Sequence, residues 1–228
     1  MNRLRTPILI VNFKNYMQAQ GTRGLSLAKE IEKVAKELSV EIAVAPPAPL
    51  LMKVAEEVDI PVLAQHVDPV PASSTTGFVP PESVKEAGCV GSIINHSEHK
   101  IPHETVKEVI EAMKENNLAT VVCADSEREA KDLASFSPDF IAIEPPELIG
   151  TGIPVSKAKP EVVRNGVRVV KEVNSEIAVL CGAGISSGED VKKALELGSE
   201  GVLVASGIVK AKDPRKVMHE FAEAARNV

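Results

Sequence analysis

The chain has 228 residues, 44% apolar and 25% charged, with 32 acidic and 26 basic side chains and a formal charge of −6. This balance argues against a disordered chain, and an acidic surface without a long basic run argues against broad nucleic-acid binding. Tyr16 and five Phe are the only aromatics, which excludes a base-stacking platform, and no apolar run approaches the roughly 20 residues that cross a bilayer.

The N-terminal stretch carries basic residues and then an apolar run that ends at Lys14 without a small-residue cleavage site. It reads as a strand over 8–13 and not as a signal peptide. A helix follows over 25–38, with Leu27, Ile31, Val34 and Leu38 on one stripe. A strand at 41–45, a weaker helix at 48–58 and a strand at 61–65 come next. Residues 66–80 form a long loop rich in Pro, Ser and Thr, and loops of this length inside a compact domain are usually functional. The alternation resumes with a helix at 81–87, a strand at 90–95 and a helix at 104–116, where Val106, Val109, Ile110 and Met113 share a face. Strands at 119–124, 139–144, 177–182 and 201–206 are followed by helices at 126–135, 158–173, 188–198 and 214–226. The last begins with Pro214 behind Asp213, a good N-cap.

Most of these strands are near-continuous hydrophobic runs, as in parallel strands covered on both faces. Eight β-then-α units with no linker predict an α/β fold, a single (β/α)8 barrel over 1–228. A doubly wound open sheet is the alternative. Cys89, Cys123 and Cys181, odd in number and widely spaced, fit reduced core thiols and a cytoplasmic location.

In such barrels chemistry gathers at the carboxyl ends of the strands. Strand one ends in Asn12-Phe13-Lys14, and alternation would aim Asn12 and Lys14 the same way. Strand four ends in Asn95-His96-Ser97-Glu98. Strand six ends in Glu144, in phase with Phe140 and Ala142, before Pro145-Pro146 and a Gly-rich segment through Ile149, Gly150 and Gly152. Strands seven and eight end in Gly182-Ala183-Gly184 and Ala205-Ser206-Gly207. Small-residue loops leading into helix N-termini expose backbone N–H groups and form a phosphate cradle. A carboxylate facing a neutral imidazole and an ammonium suits proton abstraction beside a carbonyl.

These segments, in this order and on these strand ends, resemble the triosephosphate isomerase family over the whole chain, most closely its short archaeal branch. The resemblance implies an isomerase of glycolysis and gluconeogenesis that interconverts dihydroxyacetone phosphate and D-glyceraldehyde 3-phosphate through an enediolate, a reaction long used to illustrate pKa tuning and lid closure. It implies Glu144 as base, His96 as neutral electrophile, Lys14 as the cation for oxyanion and phosphate, and Asn12 as the residue orienting substrate and Lys14. Glu98 would support Lys14. Backbone groups at Ile149, Gly150, Gly184, Ala205 and Ser206 would grip the phosphate under a lid at 145–155. No metal and no organic cofactor are expected. The loop at 66–80 would insert into a neighbouring subunit with Thr75, Thr76, Gly77 and Phe78 at its tip, which implies a homo-oligomer, a dimer or tetramer. Against the usual family pattern, Asn95 replaces a common Gly, His99 a usual Arg, and Gly184 a frequent Ser.

Other readings weigh less. His96, His99 and His103 are broken up by Pro102 and lack a completed metal-ligand set, so His99 and His103 are expected to be exposed or structural. The run from Gly182 to Gly188 has one residue too many for a dinucleotide fingerprint. Asn95-His96-Ser97 matches a glycosylation sequon with nothing else to suggest secretion. Another phosphate-binding barrel, an epimerase or lyase, and a non-catalytic sugar-phosphate scaffold are the alternatives to the isomerase.

Overall fold

The computed structural model describes residues 4–145 and 160–228. Eight parallel strands are present: β1 (Ile8–Asn12), β2 (Glu41–Ala45), β3 (Leu63–Ala64), β4 (Gly91–Ile94), β5 (Ala119–Ala124), β6 (Phe140–Ile143), β7 (Ala178–Cys181) and β8 (Gly201–Val204). They pair in the order β2-β1-β8-β7-β6-β5-β4-β3. The two ends of this sheet meet where Val44 bridges Val62 and the Val44 N–H donates to Pro61 O at 3.0 Å. The sheet is therefore a barrel, and the open doubly wound alternative is excluded.

Around it lie α1 (Gly21–Leu38), α2 (Leu51–Glu57), α3 (Pro81–Glu86), α4 (His103–Glu115), α5 (Glu127–Ala134), α6 (Pro160–Val173), α7 (Gly188–Glu196), α8 (Ser206–Val209) and α9 (Pro214–Arg226). The N-caps act as their residue types predict: Ser126, Ser187 and Asp213 accept the N–H groups of Glu129, Asp190 and Lys216. The brief α8 is an element that periodicity did not reveal, since four residues hold barely one turn. β3 is also shorter than its apolar run suggested, because only Leu63 and Ala64 find partners on β4.

Two cores divide the work. Ile8, Ile10, Ala43, Ala45, Leu63, Ile93, Val121, Cys123, Phe140, Ala142, Leu180 and Leu203 fill the barrel interior with neighbouring residues. The alternate residues of the same strands pack outward against the helices, for example Leu9, Val11, Ile42, Ile141 and Val179 against Ile31, Val34, Val109 and Phe221. This double burial explains the unbroken hydrophobic runs. One close approach depends on glycine: Gly201 has φ 157°, and a Cβ there would lie 2.2 Å from the Ile8 carbonyl oxygen. A larger residue would pry β8 from β1.

Candidate active site

The strand phase carries Asn12 and Glu144 into the barrel mouth, as expected, because each continues the inward set: Ile8 and Ile10 for Asn12, Phe140 and Ala142 for Glu144. Lys14 arrives differently. It lies beyond the strand at φ 47°, so strand alternation does not aim it. The Asn12 carboxamide accepts the Lys14 N–H at 2.9 Å and closes a tight turn that accommodates this conformation. Gln65, after β3, donates its carboxamide to the Lys14 carbonyl at 3.0 Å and to that of Ala45 at 2.9 Å. Sequence reasoning passed over Gln65, although a polar residue at a strand end was the available signal. The Lys14 ammonium then meets Glu98 Oε1 at 2.7 Å.

His96 is held at one ring nitrogen by the backbone of its own turn. The Glu98 N–H donates to Nδ1 at 3.1 Å, which leaves the ring proton on Nε2. Nε2 stands 3.2 Å from Glu144 Oε1. Burial pushes the His96 pKa down to about 4, with help from Lys14 and Lys100 and against the pull of Glu98. A carboxylate at hydrogen-bond range would normally favour imidazolium; here desolvation wins and the ring is neutral near pH 7.

Glu144 is 3% exposed. The Ser97 N–H donates to its Oε2 at 3.1 Å. Burial pushes its pKa up to about 7, outweighing the Ser97 N–H, Lys14 and a hydrogen bond from the Cys123 thiol. Cys123 is buried inside the barrel, and burial with Glu144 nearby raises its thiol pKa well above the usual value. Behind Glu144 a Cβ on Gly182 would lie 2.7 Å from the Glu144 Cγ. The glycine there makes room for the carboxylate.

Asn12, Lys14, His96 and Glu98 line a cavity of about 570 Å3 together with Tyr16 and His66. His99 stacks on His66 at its rim, with ring centroids 4.3 Å apart. His99 and His103 are both exposed. Among the described residues no group of three or more His, Cys, Asp or Glu could hold a metal ion.

The phosphate side differs from expectation in one respect. The N-terminus of α7 is not free for a ligand, because Asp190 Oδ2 accepts the N–H and hydroxyl groups of both Ser186 and Ser187 at 2.8–3.0 Å. Ser187 and Asp190 form a capping box there, and Gly184, earlier in the loop, has a φ of 73° that suits glycine. After β8, Ile208 and Val209 return their N–H groups to the Ala205 carbonyl, while those of Ser206 and Gly207 take no partner among the described residues. Ile149 and Gly150, and the expected lid beyond Pro145, lie outside the described residues.

A family model described as "Triosephosphate isomerase" matches residues 7–225. The chain is 53% identical to a triosephosphate isomerase of Methanothermus fervidus over 215 residues, covering 94% of this chain and 97% of that protein. It is 51% identical to one from Methanocaldococcus jannaschii over 214 residues, covering 94% and 98%. The crystal structure of triosephosphate isomerase from Bartonella henselae shares the fold with a TM-score of 0.76 at 18% identity, covering 97% of this chain and 100% of that one. With identity of this extent across nearly the full length of its archaeal relatives, the chain belongs to the triosephosphate isomerase family.

Proposed function

We propose that Glu144, His96, Lys14 and Asn12 carry out the family reaction, the interconversion of dihydroxyacetone phosphate and D-glyceraldehyde 3-phosphate in glycolysis and gluconeogenesis. The observation that carries this assignment is the pairing of a neutral, Nε2-protonated imidazole with a buried carboxylate whose pKa is about 7. A base is most useful with a pKa near the working pH, where it is both ionised and basic. A neutral imidazole can donate to a carbonyl and then to the enediolate without generating a strong acid.

The substrate sits in the cavity with its carbonyl oxygen between His96 Nε2 and the Lys14 ammonium. Glu144 removes a proton from the adjacent carbon, and the charge that develops on oxygen is met by these two donors. His96 moves the hydroxyl proton between the two oxygens of the enediolate, and Glu144 returns its proton to the neighbouring carbon. Asn12 fixes the turn that presents Lys14, and Glu98 steadies the ammonium. In this conformation Glu144 Oε2 accepts the Ser97 N–H and Oε1 lies 3.2 Å from His96 Nε2. Exchange of the Ser97 N–H for the substrate is proposed to free it to act. No organic cofactor or metal enters this scheme.

The phosphate is proposed to rest on Gly184, Ala205 and Ser206, with Ile149 and Gly150 closing over it as part of a lid. Closure would exclude water and suppress expulsion of phosphate from the enediolate. Inorganic phosphate release measured beside isomerisation in Gly150→Val tests the lid. A raised elimination ratio with lower turnover supports it, and an unchanged ratio with unchanged turnover refutes it.

The homo-oligomer and the cytoplasmic location are proposals as well. The neck of the 66–80 loop is clamped by Asp68, whose N–H donates to the Val79 carbonyl at 2.8 Å and whose Oδ2 accepts the Val79 N–H at 2.7 Å. At its tip Phe78 is 54% exposed, a large apolar side chain suited to a neighbouring subunit. Among the described residues no helix is long and apolar enough to cross a membrane. A coupled assay of the purified chain with glyceraldehyde 3-phosphate, wild type against Glu144→Gln, tests the function. Turnover that depends on Glu144 is the expected result.

A further inference from the structure

Directly behind His96 lies a buried polar cluster that the proposed chemistry does not use. Asn95 is 1% exposed at the end of β4 and adopts φ 59°, the left-handed region that Asn tolerates better than most residues. Its side chain is fully engaged. Nδ2 donates to the Cys123 carbonyl at 3.0 Å and to Glu129 Oε1 at 3.1 Å, and Oδ1 accepts the Ile101 N–H at 3.1 Å. Glu129, on α5, is 9% exposed. It takes Lys100 Nζ on both oxygens at 2.6 and 2.5 Å, accepts the Asp125 N–H at 2.7 Å and approaches His103 Nε2 at 3.4 Å. Three residues of the segment 95–101 are therefore tied to one carboxylate or to the amide it fixes, and His96 follows directly on Asn95 within that segment.

A lone surface ion pair would add little. This carboxylate is different, because it is buried and both Asn95 and Lys100 reach it from the same short turn. Burial would raise its pKa, yet Lys100, the Asp125 N–H and Asn95 hold it down to about 2. It is an anion throughout the working range. Where a glycine would merely permit the left-handed turn before His96, Asn95 both adopts it and anchors it.

We propose that Glu129 is a positioning residue for the electrophile: acting through Asn95 and Lys100, it fixes the turn that aims His96 Nε2 into the active site. The inference rests on His96 as electrophile. Glu129 touches no substrate, and its effect is on the placement of the imidazole. Misplacement of a catalytic group by about 1 Å can cost on the order of 10²-fold in rate.

Two variants test it. Glu129→Gln keeps the size and removes the anion. Asn95→Gly accepts the backbone conformation without strain and removes only the anchors. Both should lose about 10- to 10²-fold in kcat with KM within about twofold. The 15N signals of the His96 ring should show that Nδ1 no longer receives a single fixed hydrogen bond. Normal kcat and unchanged ring signals in the folded variants, whatever the loss in Tm, would overturn the proposal. Should Glu129→Gln fail to fold, Asn95→Gly decides alone by the same criteria. His96→Gln separates the two readings: if it turns over normally, the electrophile assignment is wrong, while the ring signals of Asn95→Gly and Glu129→Gln still report on positioning.

Discussion

His96 Nε2 lies 3.2 Å from Glu144 Oε1, and the two groups are displaced in opposite directions from their ordinary pKa values, to about 4 and about 7. Both shifts have one dominant cause, burial at the barrel mouth, which disfavours the charged form of each. The pair is thereby set as a neutral donor beside a base that ionises near neutrality.

Only ionised Glu144 can accept a proton, so activity should rise with pH through about 7 while His96 remains neutral. The substrate phosphate itself titrates near pH ~6. A carbon-13 NMR titration of Glu144 in the free enzyme avoids that overlap. A midpoint near 7 is expected, and one at the ordinary value of 4.5 would remove the basis for the base assignment.

The same shifts fix how stability depends on pH. Between 4.5 and about 7 the folded chain keeps a proton on Glu144 that the unfolded chain has released, so this group's stabilisation is present below 4.5 and lost as pH rises through 7. Between about 4 and 6.5 the unfolded chain protonates His96 and the folded chain does not, so that contribution grows as pH rises and is lost as pH falls through 4. The two oppose each other where the windows overlap. Glu144→Gln removes one of them. Its Tm should climb more steeply than wild type across the histidine window and exceed wild type at alkaline pH, where a buried charge has been deleted. Parallel Tm curves would contradict the linkage.

Lys14→Met removes the cation that the 2.7 Å contact with Glu98 holds in place. Loss of one preorganised donor costs about 10²–10³ in rate, and affinity for a phosphate-bearing inhibitor should fall as well. Steady-state kinetics and an inhibition constant measure both. Wild-type values for kcat and KM would make Lys14 an ordinary surface lysine.

Gly182→Ala places a methyl 2.7 Å from the Glu144 Cγ and 3.0 Å from the Ile143 carbonyl oxygen. Glu144 or β7 must shift. A displacement near 1 Å predicts a kcat loss of about 10²-fold with little change in KM. Undiminished kcat would show that the carboxylate does not need the space the glycine leaves.

Much of this was legible in the sequence because barrel strands announce themselves twice, as hydrophobic runs and as polar residues at their ends. β2 and β5 match their predicted ranges residue for residue, and Glu144 follows the inward phase of Phe140 and Ala142. Features formed by contacts between distant segments were not legible. The Lys14 turn depends on Gln65, 51 residues away, and the Gly188 N–H at the start of α7 is taken by Glu220, 32 residues away. Glu129 carried a visible sign, since Ser126-Glu127-Arg128-Glu129 is a capping pattern. That pattern predicts a helix start at Ser126, which the structure bears out, but not that the carboxylate would reach across 34 residues to Asn95.

The most direct measurement of proton transfer by Glu144 is isomerisation in D2O, followed by proton NMR of the product formed from dihydroxyacetone phosphate. Wild type should place solvent deuterium on the carbon that becomes C2 of glyceraldehyde 3-phosphate, and Glu144→Gln should be slowed by at least about 10²-fold in both turnover and exchange. Isomerisation with no deuterium in the product, or near-normal turnover by Glu144→Gln, would contradict the account.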